Sequence, residues 1–160
     1  MKRIAPHRFR RNGFTIIELM MTLAILGVIL MIAAPSFNDL ALKSRVSSAA
    51  TEIQLSLLLA RSEAVKRNAT VSIAPVNPAA WSEGWNVAYV DAGGVTRTLK
   101  TQAAYTGTMT VNGPATVVAY GRDGRLTGTT DVTFAVTVPD HARVPAKVVA
   151  VDLSGRPSVH

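Results

Sequence analysis

Between Glu18 and Asp39 the chain carries no charge at all. This stretch, residues 19–38, has the roughly 20-residue length that a helix needs to cross the hydrocarbon core of a bilayer. Immediately before it stand Gly13-Phe14-Thr15-Ile16-Ile17-Glu18, and before those a leader with Lys2, Arg3, Arg8, Arg10 and Arg11. A carboxylate inside an apolar segment costs roughly 2.5–3.5 kcal/mol on insertion scales, which makes Glu18 a functional candidate by default. Three readings fit the segment. A secretory signal would need a small-x-small cleavage site after a shorter apolar run, and Ile32-Ala33-Ala34 followed by Pro35 is a poor one. A plain anchor explains the length but neither Glu18 nor the boundary glycine. The third reading is cleavage before the apolar run, which then stays in the mature protein.

Charge supports a topology more than a partner. The 17 basic and 10 acidic residues give a formal net charge of +7, and five of the basic residues lie in the leader. A basic leader stays on the cytoplasmic side, so everything after the apolar span is expected in the periplasm. The chain has no cysteine, which excludes disulfides and thiolate metal sites. No acid pair sits at a helical spacing beside any of the three histidines, His7, His141 and His160, and no serine sits in a nucleophile-elbow pattern. No enzyme, cofactor or metal is expected.

The helical pattern continues past Asn38. Val46, Ala49, Ala50, Ile53, Leu57, Ala60 and Ala64 recur every three or four residues and fall on one stripe about 100° wide. Glu63 precedes Arg67 by four residues, a favourable helix pair, and Asn68 suits a C-terminal cap. One helix over residues 14–67 is therefore expected, kinked at Pro35, which lacks a backbone donor. Leu55, Leu58 and Leu59 lie off the stripe. Their simpler reading is a deeper core; the sharper one is contact with neighbouring subunits.

Beyond Asn68, runs of Val, Thr and Ile alternate with turn residues. Strands are expected at 70–75, 85–90, 95–100, 109–112, 115–120, 132–138 and 146–152. Turns are expected at Ala92-Gly93-Gly94, Asp123-Gly124 and Ser154-Gly155. Short connections favour an antiparallel sheet whose apolar face covers the helix stripe. Trp81 and Trp85 are expected to pack that sheet onto the helix.

The segment from Gly13 to Glu18 resembles the prepilin motif of type IV pilins and type II secretion pseudopilins. Leu59-Ala60-Arg61-Ser62-Glu63-Ala64-Val65-Lys66-Arg67-Asn68, Trp81-Ser82-Glu83-Gly84-Trp85, Tyr120-Gly121-Arg122-Asp123-Gly124-Arg125 and Gly155-Arg156 are similar to the GspH/FimT/FimU branch of that family. The resemblance implies an α+β, pilin-like fold, with a long N-terminal transmembrane α-helix packed on an antiparallel β-sheet head. Its parts would be a leader (1–13), a transmembrane half-helix (14–37), an amphipathic periplasmic half-helix (38–68) and a β-rich head (69–160). It further implies cutting by prepilin peptidase between Gly13 and Phe14, N-methylation of Phe14, and pairing of Glu18 with the N-terminal amine of a neighbouring subunit. Pro35 falls where a proline is common in these pilins.

The implied function is assembly: a minor pilin or pseudopilin that helps to prime or cap a filament. Its partners would be prepilin peptidase, other major and minor pilins or pseudopilins, inner-membrane lipid and the inner-membrane assembly platform. Its place would be the bacterial inner membrane, crossed once, with the N-terminus cytoplasmic and the head periplasmic. Residues 32–37 and 60–68 lean toward a type IV pilus; an H-type pseudopilin of protein secretion is the alternative. Some FimT-type pilins bind DNA through a Gly-Arg-x-Arg motif near the C-terminus. Here the motif reads Gly155-Arg156-Pro157-Ser158, without the second arginine. A DNA reading would have to rest on Arg122, Arg125, Arg143, Lys147 and Arg156.

Overall fold

The computed structural model describes residues 13–160, except for the side chains of residues 32–36. Residues 1–12 of the leader, the kink expected at Pro35 and the packing of its neighbours lie outside the described residues. A single helix, α1, runs Ile16–Arg67. Eight strands follow: β1 Val71–Asn77, β2 Ala80–Val90, β3 Thr96–Gln102, β4 Thr110–Asn112, β5 Val118–Tyr120, β6 Val132–Thr137, β7 Lys147–Val151 and β8 Pro157–Val159.

The chain divides into two compact units, residues 1–38 and 39–160. In the first, the described apolar side chains of α1 are exposed on every side, from Ile16 to Met31. A helix that is hydrophobic all round belongs in lipid or among other apolar helices. Among the described residues, no helix is long and apolar enough to cross a membrane.

In the second unit every residue of the expected stripe, from Val46 to Ala64, is buried. Four of its seven members are alanines, which bury a face without holding the strands away from it. Buried Ser56 stays satisfied because its hydroxyl donates back to the Glu52 carbonyl at 2.9 Å. The helix ends in a Schellman motif: Asn68 takes a left-handed φ of 52°, the Asn68 amide donates to the Val65 carbonyl, and the Ala69 amide donates to that of Ala64. Arg67 is held twice, by Glu63 at 2.6 Å and by the ring of Tyr89, whose centroid lies 4.4 Å from the guanidinium. The Arg67 hydrogen bond, helped by the charges of Arg67 and Lys66, keeps the Glu63 carboxyl below its usual range.

The expected single sheet is two four-stranded antiparallel sheets, in the orders β3-β2-β1-β5 and β4-β6-β7-β8. Local alternation identifies strands but not the partners they choose, so the division was not readable from the pattern. Aromatic contacts close the seam. Trp81 of β2 meets Phe134 of β6 edge-on with centroids 4.8 Å apart, and Trp85 sits 6.4 Å from Trp81. The indole N–H of Trp81 donates to the Pro114 carbonyl at 2.9 Å. Ser82 links the sheets a second way: its hydroxyl accepts from the Val111 amide at 2.9 Å.

Strand boundaries differ from expectation mostly by one to three residues. Two differences are larger. β2 begins at Ala80 rather than at residue 85, because Gly84 interrupts the pattern yet stays in the strand at φ 96°; a Cβ there would lie 2.2 Å from the Gln102 carbonyl oxygen. β8 was not anticipated: it is three residues long and begins with a proline, which an edge strand tolerates. Leu55, Leu58 and Leu59 correct the deeper-core reading. Leu55 and Leu58 are 51% and 41% exposed and Leu59 is half-buried, because both sheets cover the opposite side of α1.

Candidate functional site

The N-terminal site is built by helix capping. Gly13 to Thr15 precede the first helical turn, and a Cβ on Gly13 would meet nothing within 4 Å. The Thr15 hydroxyl accepts from the Glu18 amide at 3.3 Å. In return, Glu18 Oε2 accepts from the Thr15 amide at 3.4 Å and from the Thr15 hydroxyl at 3.3 Å. This reciprocal pair is a capping box, which satisfies donors that every helix start leaves open. A carboxylate in the first turn also faces the positive end of the helix dipole. Thr15 is the residue the sequence reading passed over, although Thr-x-x-Glu before an apolar run is itself a capping signature. Only Oε2 is engaged in the box; among the described residues Glu18 Oε1 has no hydrogen-bond partner.

The C-terminal basic residues do not form one patch. The 121–125 and 152–156 loops abut: a Cβ on Gly155, at φ 78°, would lie 2.3 Å from the Gly124 carbonyl oxygen. Gly124 in turn packs against Arg61 and Val65 of α1. Arg122, Arg125 and Arg156 are thereby gathered at the C-terminal end of the helix, exposed and in no ion pair among the described residues. Arg143 instead approaches Asp39 at 3.8 Å. Asp39 lies about 33 Å from Arg61 along α1 at 1.5 Å per residue. Lys147 opens β7 opposite Val136 and is half-buried. Asp152, in the same loop as Arg156, accepts from the Ser154 hydroxyl at 2.6 Å and the Arg156 amide at 3.0 Å. Those bonds, the Ser154 hydroxyl first, hold its carboxyl below the usual range and keep a negative charge among the arginines.

Tyr120 lies beneath these loops, fully buried, and its hydroxyl has no hydrogen-bond partner among the described residues. Burial, reinforced by Asp152 and opposed by Arg61, pushes its pKa up to about 12. The folded value exceeds the ordinary value of 10.0, so this contribution to stability is complete below pH 10 and disappears as pH rises through 12, up to about 3 kcal/mol. Tyr120→Phe is expected to be neutral or to stabilise by up to about 1 kcal/mol at neutral pH, since it removes a buried polar group, and to flatten the alkaline loss. Unfolding curves at several pH values between 7 and 12 measure both; destabilisation by more than about 1 kcal/mol at pH 7 would mean that the hydroxyl has a partner.

Trp81 and Trp85 are buried, as expected of core residues. Among the described residues there is no cluster of three potential metal ligands.

A capped apolar helix with an acid in its first turn, in one chain with a helix-backed antiparallel β head, defines a pilin-type subunit. Comparison with known proteins narrows the class. The family described as Type II transport protein GspH matches residues 49–155, and the prokaryotic N-terminal methylation motif matches residues 8–34. The chain thus belongs to the GspH family of minor pilins and pseudopilins, which build type IV pili or type II secretion pseudopili.

Crystal structures of the type IV minor pilin FimU from Pseudomonas aeruginosa, in two crystal forms, share the fold with TM-scores of 0.64 and 0.61. Identity is 24% and 25%, over 73% and 71% of this chain and 89% and 91% of those. The Pilin-like protein PilA1 of Thermus thermophilus is 45% identical over 65 residues, 39% of each chain. The chain thus spans about two fifths of the length of that relative.

Proposed function

We propose that the chain is a structural, non-catalytic minor subunit of a type IV pilus, cut between Gly13 and Phe14 by prepilin peptidase and N-methylated at Phe14. The leader is residues 1–13, the membrane half of the helix 14–37, the periplasmic half 38–68 and the head 69–160. The mature protein crosses the bacterial inner membrane once, with its N-terminus on the cytoplasmic side, and joins other pilins at the assembly platform to prime or cap the filament. Glu18 pairs with the N-terminal amine of the neighbouring subunit. The carrying observation is the capping box, in which the Glu18 carboxylate stands at the start of the apolar half of α1, with Oε1 unengaged among the described residues. The methylation-motif match over residues 8–34 supports the processing step. The pilin name of the Thermus relative favours a pilus over secretion. Neighbouring genes discriminate: secretion-channel genes beside this one would favour the H-type pseudopilin.

Mass spectrometry of the mature protein tests the reading. The expected N-terminus is N-methylated Phe14. An intact leader in cells with active peptidase would remove the assignment, and Gly13→Ala should slow or abolish the cut.

A second reading, a DNA-receptor pilin, has one observation in its favour: Arg122, Arg125 and Arg156 share one end of the head. Arg143 has no place in it, and Asp123 and Asp152 sit in the same loops. Phosphate binding by three arginines would fall steeply with salt. A gel shift with the full-length protein in detergent, at low and at physiological salt, is expected to show at most weak, salt-labile binding that Arg125→Ala and Arg156→Ala abolish. A shift that survives physiological salt would make this the better reading.

A further inference from the structure

The connection between β6 and β7 is a braced loop. Val138 and Val144 are buried at its two ends, and the Val144 amide donates to the His141 carbonyl at 2.8 Å, which closes a turn. Pro139 and Pro145 flank that turn, and Asp140 enters it with a left-handed φ of 64°. Ala142 and Arg143 are thereby held at the tip, and both are exposed.

Arg143 approaches Asp39, with an Nη 3.8 Å from Oδ2, yet its side chain stays 81% exposed. An exposed pair at that distance adds little to stability, and a guanidinium has donors to spare for a second anion. Asp39 is the residue that ends the uncharged run. Lys43 follows it by one helical turn, about 6 Å further along the axis. Lys43 and Arg45 are exposed and in no ion pair among the described residues. With Lys147, residues 39–45 of α1 and 139–147 of the loop carry four cations against two acids, Asp39 and Asp140.

We propose that the β6–β7 turn is a lipid-binding site, which rests on the headgroup layer of the membrane that α1 crosses, with Arg143 on a phospholipid phosphate. The inference depends on the proposed single crossing by residues 14–37. Hydrocarbon then ends near the end of the uncharged run, and the headgroup layer beyond it is roughly 5–8 Å thick on each side. The helix from Asp39 to Lys43 fills that layer, and the Arg143 turn lies against Asp39. A guanidinium holds phosphate through two parallel N–H···O bonds. Arg143 also offsets the Asp39 carboxylate, which would otherwise repel the phosphates. The transmembrane anchor keeps lipid beside the turn at high effective concentration, so a few contacts suffice.

The chain has no cysteine, so single cysteines can be labelled with bimane in the full-length protein, reconstituted into vesicles of phosphatidylcholine and phosphatidylglycerol. Ala142→Cys reads the turn and Val28→Cys the apolar half of α1. Ala92→Cys reads the β2–β3 turn beside Arg67, and Arg67 is about 42 Å along α1 from Asp39. A nitroxide on the lipid headgroup is expected to quench the probe at 142 strongly and the probe at 92 hardly at all. An acyl-chain nitroxide is expected to quench the probe at 28. Adding Arg143→Glu should remove most of the quenching at 142, whereas Asp39→Asn should keep or increase it, because lipid and not Asp39 is the partner that matters. Unchanged near-ultraviolet circular dichroism shows that each variant head is folded. Equal quenching at 142 and 92, quenching at 142 that Arg143→Glu leaves intact, or an equal loss with Asp39→Asn would overturn the proposal. Quenching at 28 without quenching at 142 would overturn this site alone; no quenching at 28 would remove the membrane crossing and the site with it.

Discussion

Trp85→Ala is expected to destabilise the head by about 3–5 kcal/mol, the range for deleting a large aromatic from a packed core. Trp85 is 1% exposed and is shared by every layer of the head. With Ile53 and Leu57 of the helix, Ile73 of β1, Trp81 of β2 and Phe134 of the second sheet it surrounds one small gap in the core, and Tyr105 packs on it with centroids 5.9 Å apart. A loss of that size is a large part of the roughly 5–15 kcal/mol that holds a typical domain together. Trp85→Phe should cost less than half as much: it keeps most of the apolar area and removes an indole N–H that is buried without a protein partner. Denaturant unfolding of both variants, followed by near-ultraviolet circular dichroism, makes the comparison. A loss below about 1 kcal/mol for the alanine variant would show that the aromatic cluster is not the centre of the core.

At the other end of the chain the larger effect falls on assembly rather than folding. Glu18→Ala is expected to insert into the membrane normally but to enter filaments at least tenfold less, since breaking an ion pair held away from water typically costs about 3–5 kcal/mol. The capping box supplies a sharper variant. Glutamine serves at this position of a capping box as well as glutamate does, so Glu18→Gln keeps the helix start and removes only the charge. If subunit pairing is the role of Glu18, the glutamine variant should be nearly as defective as alanine. Thr15→Ala, which costs the cap about 1 kcal/mol but leaves the carboxylate, should then assemble much better than either. Quantifying each variant in sheared filaments against membrane fractions tests this. Normal incorporation of Glu18→Gln would reduce Glu18 to a capping residue.

The two sites differ in how much of them could be read in advance. The capping geometry at the N-terminus is local, because its parts lie within six residues: a glycine, a threonine cap, an acid three residues later, then an apolar run. Thr15 belongs to the same local pattern, since Thr-x-x-Glu before an apolar run marks a helix start. The basic loops were not legible. Arg125 and Arg156 are 31 positions apart, and what brings their loops together is the absence of a side chain on Gly155 where it meets the Gly124 carbonyl. The approach of Arg143 to Asp39 is of the same kind: the two lie 104 positions apart, and neither has a sequence pattern that marks it.

By itself the sequence determined what depends on neighbours along the chain: the buried stripe from Val46 to Ala64, the Asn68 cap, most of the strands with their glycine turns, and the uncharged run with its acid. Helix periodicity, strand alternation and left-handed turns are set by a few consecutive residues, so they can be read from them. Tertiary structure alone decided which strands became partners, and hence that there are two sheets joined by Trp81 and Phe134. It also decided which apolar face of the helix is covered. Leu55 and Leu58 are as hydrophobic as Leu57, yet they stay exposed, because burial depends on which side the strands close over, and that choice is made by packing among residues far apart in the chain.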